Sequence, residues 1–173
     1  MNNLIFSNII RLFILILVQS IILQQIQLGG DSFNYISLFI YPLFLLLLPL
    51  KTSKISLVLI GFGLGLIIDV FYNSPGVHAG ATLFTAVMRP AILNIWEPRE
   101  GYNVNHGLTI RNYGFNWFLK YAGSMFFIHL LIYFILEIFT PVYSMEIFLR
   151  TLFSFLFSMV LVFIYMFLFT PKD

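Results

Sequence analysis

GFGLGLIIDVFYNSPGVHAGATLFTAVMRP, running from Gly61 to Pro90, is the stretch whose reading decides the architecture. From Leu57 to Phe71 the chain is apolar, broken only by three glycines and by Asp69. Gly61, Gly65 and Asp69 are spaced by four, so on a helix they share one slowly drifting face. Small residues at that spacing let a second helix backbone approach closely inside a bilayer, where packing drives association. The Gly61/Gly65 face is therefore expected to receive a helix, from this chain or from a partner. Tyr72-Asn73-Ser74-Pro75-Gly76 reads as a turn, because proline presets φ and glycine tolerates positive φ. Val77 resumes a helix that carries His78, Thr82, Thr85 and Arg89 at helical spacing. A helical hairpin is expected.

Around that hairpin the composition is that of a membrane protein. Of 173 residues, 60% are hydrophobic, 18% aromatic and only 9% charged, against about 25% charged residues in soluble domains. Cysteine is absent, which removes disulfides, thiolate catalysis, Cys-ligated zinc and iron–sulfur clusters together. A net charge of +2 is too small to suggest nucleic acid binding, so the position of the basic residues matters more than their sum.

Hydropathy divides the chain into six candidate spans, near residues 9–28, 33–50, 55–72, 77–96, 116–139 and 147–169, in one polytopic domain. The first turns glutamine-rich at Gln19, Gln24, Gln25 and Gln27. No small-x-small cleavage site follows it, so it is read as a retained helix. Gly29-Gly30-Asp31-Ser32 ends it. The second span is short and contains Pro42 and Pro49, which predicts a kinked or tilted helix. Residues 97–115 form the one sizeable polar loop, too short to fold as a separate domain. Arg11, Lys51, Lys54, Arg99, Arg111, Lys120 and Lys172 flank one side and Arg150 the other, which places both termini in the cytoplasm by the positive-inside rule. Trp96 and Trp117 bracket the polar loop at the level that suits an indole.

Each polar group in these spans has a structural reading and a functional one. Asp69 lies roughly 6 Å below the outer turn at 1.5 Å per residue, where a carboxylate is partnered, protonated or open to a wet cavity. His78 matches its depth and is the expected partner, together with the turn's own backbone and hydroxyls. Arg89 sits roughly 16 Å below His78, too far for direct pairing with Asp69, and is expected to snorkel toward the cytoplasmic headgroups. Pro90 after it frees a carbonyl one turn back. His129, the deepest ionisable group, reads either as part of a proton relay or as a neutral imidazole bonded to a neighbouring helix. Glu137 and Arg150 lie one turn inside the outer boundary of consecutive helices and are expected to pair.

Nothing in the chain assembles a catalytic constellation. Gly61, Gly63 and Gly65 lie inside a span and precede no Lys-Ser or Lys-Thr, so they are not a phosphate-cradling loop. The three histidines lie on separate segments without metal-ligand spacing. No Asp or Glu is placed to orient His129 toward Ser124. No cofactor is expected, and a membrane enzyme would have to rest on Asp69 with His78.

The hairpin also carries a resemblance. Gly-Leu-Ile-Ile-Asp-Val-Phe at 65–71, the turn Ser74-Pro75-Gly76, His78-Ala79, Met88-Arg89-Pro90 and Glu97-Pro98-Arg99-Glu100-Gly101-Tyr102, in this order, resemble the rod-shape-determining MreD family. The motif covers about a third of the chain, and the last two spans match by hydropathy alone. What the resemblance implies is an all-α, six-helix membrane fold similar to the substrate-binding (S) components of energy-coupling-factor transporters. It also implies a non-enzymatic subunit of the bacterial cell-elongation machinery, which binds the bitopic protein MreC and acts with the MreB cytoskeleton and peptidoglycan synthases. It makes Gly61, Gly65, Asp69, Gly76, His78, Arg89 and Pro90 the residues of packing and partner binding. The fold similarity supplies a second expectation, a small-molecule uptake component.

Overall fold

The computed structural model describes residues 2–26, 35–104 and 106–169. The Gly29–Ser32 turn, Leu28, the first two residues of the second span and Lys172 lie outside them. Among the described residues the regular structure is helical: α1 (Asn2–Leu17), α2 (Leu43–Leu47), α3 (Lys54–Tyr72), α4 (Val77–Ile95), α5 (Ile110–Tyr113), α6 (Phe115–Ile138) and α7 (Ser144–Leu168). Among the described residues four helices are long and apolar enough to cross a membrane: the one spanning Asn8–Gln25, α3, α6 and α7. The chain is an all-helical membrane protein.

The hairpin forms from α3 and α4, which share the most extensive contact among the described helices. Ser53 caps α3 by accepting from the Ser56 N–H at 3.1 Å, the expected use of serine at a helix start. Asn73 ends it in the left-handed region, φ 51°. A Cβ on Gly65 would fall on the Thr82 hydroxyl and the Ala79 Cα, and 2.6 Å from the Ala79 nitrogen. At Gly61 it would lie 3.0 Å from the Ala86 Cβ and 3.1 Å from the Thr82 carbonyl oxygen. The helix received by the glycine face is therefore α4 of the same chain. α4 in turn packs on α6, and α6 on α7, giving a consecutive antiparallel set around a core rich in Phe, Tyr and Leu.

The expectation for the second span fails. In place of a kinked helix over 33–50, residues 37–40 take no regular structure and send successive backbone groups to opposite sides, as an extended chain does. Tyr41 and Pro42 turn, and among the described residues only Leu43–Leu47 is helical. Every residue from Leu38 to Leu48 is buried. Apolar composition cannot distinguish a lipid-facing helix from an unwound segment enclosed by helices, and bilayers permit the second where protein satisfies the backbone. α1 also departs from a uniform helix, passing into a π-helical turn at Val18–Ile22 and a tight 3₁₀ turn at Leu23–Gln25.

Candidate functional site

A segment outside regular helix leaves its N–H and C=O groups to be paired by something other than its own turns. Here four helices contribute side chains. Gln19, in the π-helical turn, donates from Nε2 to the Leu38 carbonyl and accepts on Oε1 from the Ile40 N–H, each at 2.9 Å. One amide thus pairs two backbone groups as a strand neighbour would. On the opposite edge the Ser37 N–H donates to Ser154 Oγ at 2.9 Å and the Phe39 N–H to Ser158 Oγ at 3.0 Å. The match is geometric, since two residues of strand advance about 6.6 Å and four residues of helix about 6 Å. Ser154 and Ser158 form a short ladder on α7.

The end of the segment is held the same way. Leu48 leaves α2 with ψ 145°, as the residue before a proline does, and its carbonyl takes a hydrogen bond from the Arg89 guanidinium. Arg89 Nε also donates to Tyr121 Oη at 3.1 Å, and Tyr121 donates to the Leu46 carbonyl at 3.1 Å. Arg89 is 2% exposed. It does not snorkel, because carbonyls released by the broken segment lie within reach and satisfy its donors inside the protein. Pro90 stays within α4, which continues to Ile95.

Deeper in the same column, His129 is fully buried between Tyr41 and Thr85. The Thr85 hydroxyl donates to the Ala81 carbonyl at 2.7 Å and lies 2.9 Å from His129 Nδ1. Tyr41 Oη lies 2.9 Å from Nε2. With the threonine proton so directed, Nδ1–H donates to Thr85 and Nε2 accepts from the phenol, the pattern of a neutral ring. That is the hydrogen-bonded reading of His129.

Asp69 belongs to the end of this column nearest the 73–76 turn. Its Oδ1 accepts from the His78 N–H at 2.9 Å, from Ser74 Oγ at 3.1 Å and from His78 Nδ1 at 3.1 Å. Its Oδ2 accepts from the Gly76 and Ala79 N–H groups, both at 3.0 Å. The residue that begins α4 is Gly76, at φ 90°, with no side chain to cap the helix. Asp69 caps it from α3 instead, and Val77 N–H goes to the Ser74 carbonyl at 3.2 Å, so the first turn of α4 has no orphan donor. A carboxylate there also faces the positive end of the helix dipole. The His78 ring packs 4.7 Å from Tyr72 and 4.8 Å from Tyr133, and its Nε2 is buried without a hydrogen-bond partner.

Glu137 and Arg150 come within 3.8 Å, but Arg150 makes a shorter contact to Glu146, 2.7 Å, and Glu137 accepts from Tyr133 Oη at 3.1 Å. The guanidinium is thus tied mainly within α7, a four-residue pair that sequence spacing allows. Double-mutant cycles read by thermal unfolding are expected to give about 0.3–0.5 kcal/mol for Glu146 with Arg150, and less for Glu137 with Arg150. A larger coupling for Glu137 would reverse the order. Glu137 and Arg150 border a small cleft of about 240 Å³ that Gln24, Ser37, Tyr72 and Tyr133 also line.

Gln19, Tyr41, Tyr121, Ser154 and Ser158 are the site residues that the sequence reading did not single out. Two of them left a signal: Ser154 and Ser158 repeat at one helical turn inside a largely apolar span. Among the described residues no three His, Asp or Glu side chains meet as metal ligands. Compared with family models, with curated proteins and with solved structures, the chain matches none.

Proposed function

We propose that the chain is a non-enzymatic subunit of the bacterial cell-elongation complex, seated in the cytoplasmic membrane with both termini inside. It would bind an MreC-like bitopic partner and through it act with the MreB cytoskeleton and peptidoglycan synthases. The observation that carries this reading is the use made of the interior. Gln19, Arg89, Tyr121 and Asp69 are consumed in holding the backbone and His129 in bonding the Tyr41 and Thr85 hydroxyls, which suits a rigid docking body better than a conduit or a catalyst. The resemblance carried by the 65–102 motifs supports the same conclusion.

Six crossings and the S-component fold belong to this proposal. α4, 19 residues long, runs antiparallel to α3. The Gln24 amide donates to the Phe71 carbonyl at 2.8 Å, so the 3₁₀ turn at Leu23–Gln25 lies beside the end of α3. The chain must then return to Lys54 through residues 35–50. Six extended residues cover about 20 Å and the α2 turns about 7 Å, close to the hydrocarbon thickness of about 30 Å. With α4 occupying the Gly61/Gly65 face, the partner helix would have to use another surface, such as the outward faces of α1 or α7, where Phe13, Leu17, Phe157 and Val160 are exposed.

The small cleft favours a second reading, an uptake component of an energy-coupling-factor-like transporter. Its volume argues against it, since sites for drug-sized ligands hold about 300–1,000 Å³. The two readings separate experimentally. Affinity purification from the native membrane is expected to bring down a bitopic protein with one transmembrane helix, and depletion is expected to round rod-shaped cells. Recovery of an ATPase module, with normal cell shape on depletion, would favour the transporter.

A further inference from the structure

A second site lies at the opposite end of the molecule from Asp69, where α4 ends and α6 begins. The loop between them folds back onto the helix ends. Tyr102 donates to the Leu93 carbonyl at 2.8 Å, Trp117 Nε1 to the Trp96 carbonyl at 2.7 Å, and Trp96 Nε1 to Ser124 Oγ at 3.0 Å. Burial pushes the Tyr102 phenol up to about 12, so it stays a donor at neutral pH. Tyr113 packs 4.7 Å from Trp117 and 5.5 Å from Tyr102. These rings form one wall of an open groove of about 1050 Å³.

The rim of the groove carries both signs of charge. Glu97, Glu100, Arg99 and Lys120 all line it and are exposed. Lys120 Nζ sits 5.3 Å above the Trp96 ring. Among the described residues Glu97, Glu100 and Arg99 form no ion pair, so neither sign is spent on the other. The start of α6 faces the same space: its cap is Gly114, without a side-chain hydrogen bond, and Asn116 and Trp117 of its first turn line the groove. Such a helix end favours a phosphate.

We propose that this groove binds the headgroup of a zwitterionic aminophospholipid, one with a phosphodiester and a primary ammonium. The phosphodiester meets the α6 N-terminus, Lys120 and Arg99. The ammonium donates hydrogen bonds to Glu97 and Glu100, which a quaternary choline cannot do, beside the aromatic wall, whose π faces attract a cation. The indoles set the level of the bilayer surface, so the lipid reaches the groove from its own leaflet. An anion without the ammonium would leave the two carboxylates facing it unbalanced. The inference does not depend on the proposed role in cell elongation.

The full chain, purified and reconstituted in nanodiscs of defined lipid, tests this by native mass spectrometry. Wild type is expected to retain phosphatidylethanolamine in preference to phosphatidylglycerol and phosphatidylcholine. Glu97→Gln with Glu100→Gln should abolish the preference over phosphatidylglycerol while leaving overall retention. Arg99→Gln should lower retention of both by about fivefold, the effect of one cation at a lipid surface. These positions are exposed and form no ion pair among the described residues, so helical circular dichroism should not change. The emission of the chain's 2 tryptophans, both in the groove wall, gives a second readout and should shift with phosphatidylethanolamine content. Equal retention of all three lipids, variants that bind as wild type does, or release of a bound polypeptide in place of lipid would overturn the proposal.

Discussion

Gly65→Leu is expected to prevent stable folding, with the protein lost from membranes or its thermal transition abolished. The first side-chain carbon would already stand on the Ala79 backbone. Backbone cannot step aside as a rotamer can, so α3 and α4 must separate along their length. Overpacking a core costs about 1–3 kcal/mol where side chains can adjust, and this site lacks that freedom. Separation would also pull Asp69 from the first turn of α4, adding the loss of its five hydrogen bonds. Gly63→Leu is the control, because a Cβ there meets nothing within 4 Å. Leu66→Ala, on the exposed side of α3, should also be mild. Membrane abundance and thermal unfolding of the three variants decide the matter. Gly65→Leu stable to the level of Gly63→Leu would mean that the hairpin interface is not the one described.

The hairpin was legible because its signals are local. Three positions spaced by four name the interface, and a five-residue turn of Tyr, Asn, Ser, Pro and Gly names the reversal. The pairing of Asp69 with His78 followed from equal depth below that turn. The segment at 33–50 was illegible for the converse reason. Its own residues are apolar and fit a helix, while the groups that keep it unwound lie at Gln19, Arg89, Tyr121, Ser154 and Ser158, far away in sequence. None of them names its partner where it stands. Pro42 and Pro49 were read as kinks in a helix; they flank its only helical turns, with Leu48 O freed for Arg89. The misreading of Arg89 is the same error seen from the other side, since a buried guanidinium is intelligible only once its carbonyl partners are known. Gln19 shows how much was hidden: a single amide at the edge of an apolar run replaces a strand neighbour.

Asp69→Ala is expected to cost about 3 kcal/mol or more, and Asp69→Asn to recover less than half of that. From the sequence alone asparagine reads as a mild change, because it keeps the shape and an acceptor. The geometry reverses that expectation. Both carboxylate oxygens accept: Oδ1 from three donors and Oδ2 from two backbone N–H groups. An amide can present only one oxygen. In its better orientation the NH₂ would face the Gly76 and Ala79 N–H groups, donor against donor, and the charge that faces the helix dipole would be gone. Leaving a buried donor unpaired costs about 1–3 kcal/mol, and Ala79 N–H is buried. Alanine strands that group together with His78 N–H and the His78 ring. Thermal unfolding and membrane abundance, measured before any assay of cell shape, should therefore rank wild type above asparagine and asparagine above alanine. Asparagine as stable as wild type would show that the cap needs shape alone. Asparagine and alanine both as stable as wild type, with activity lost in each, would move Asp69 from holding the hairpin to binding a cation.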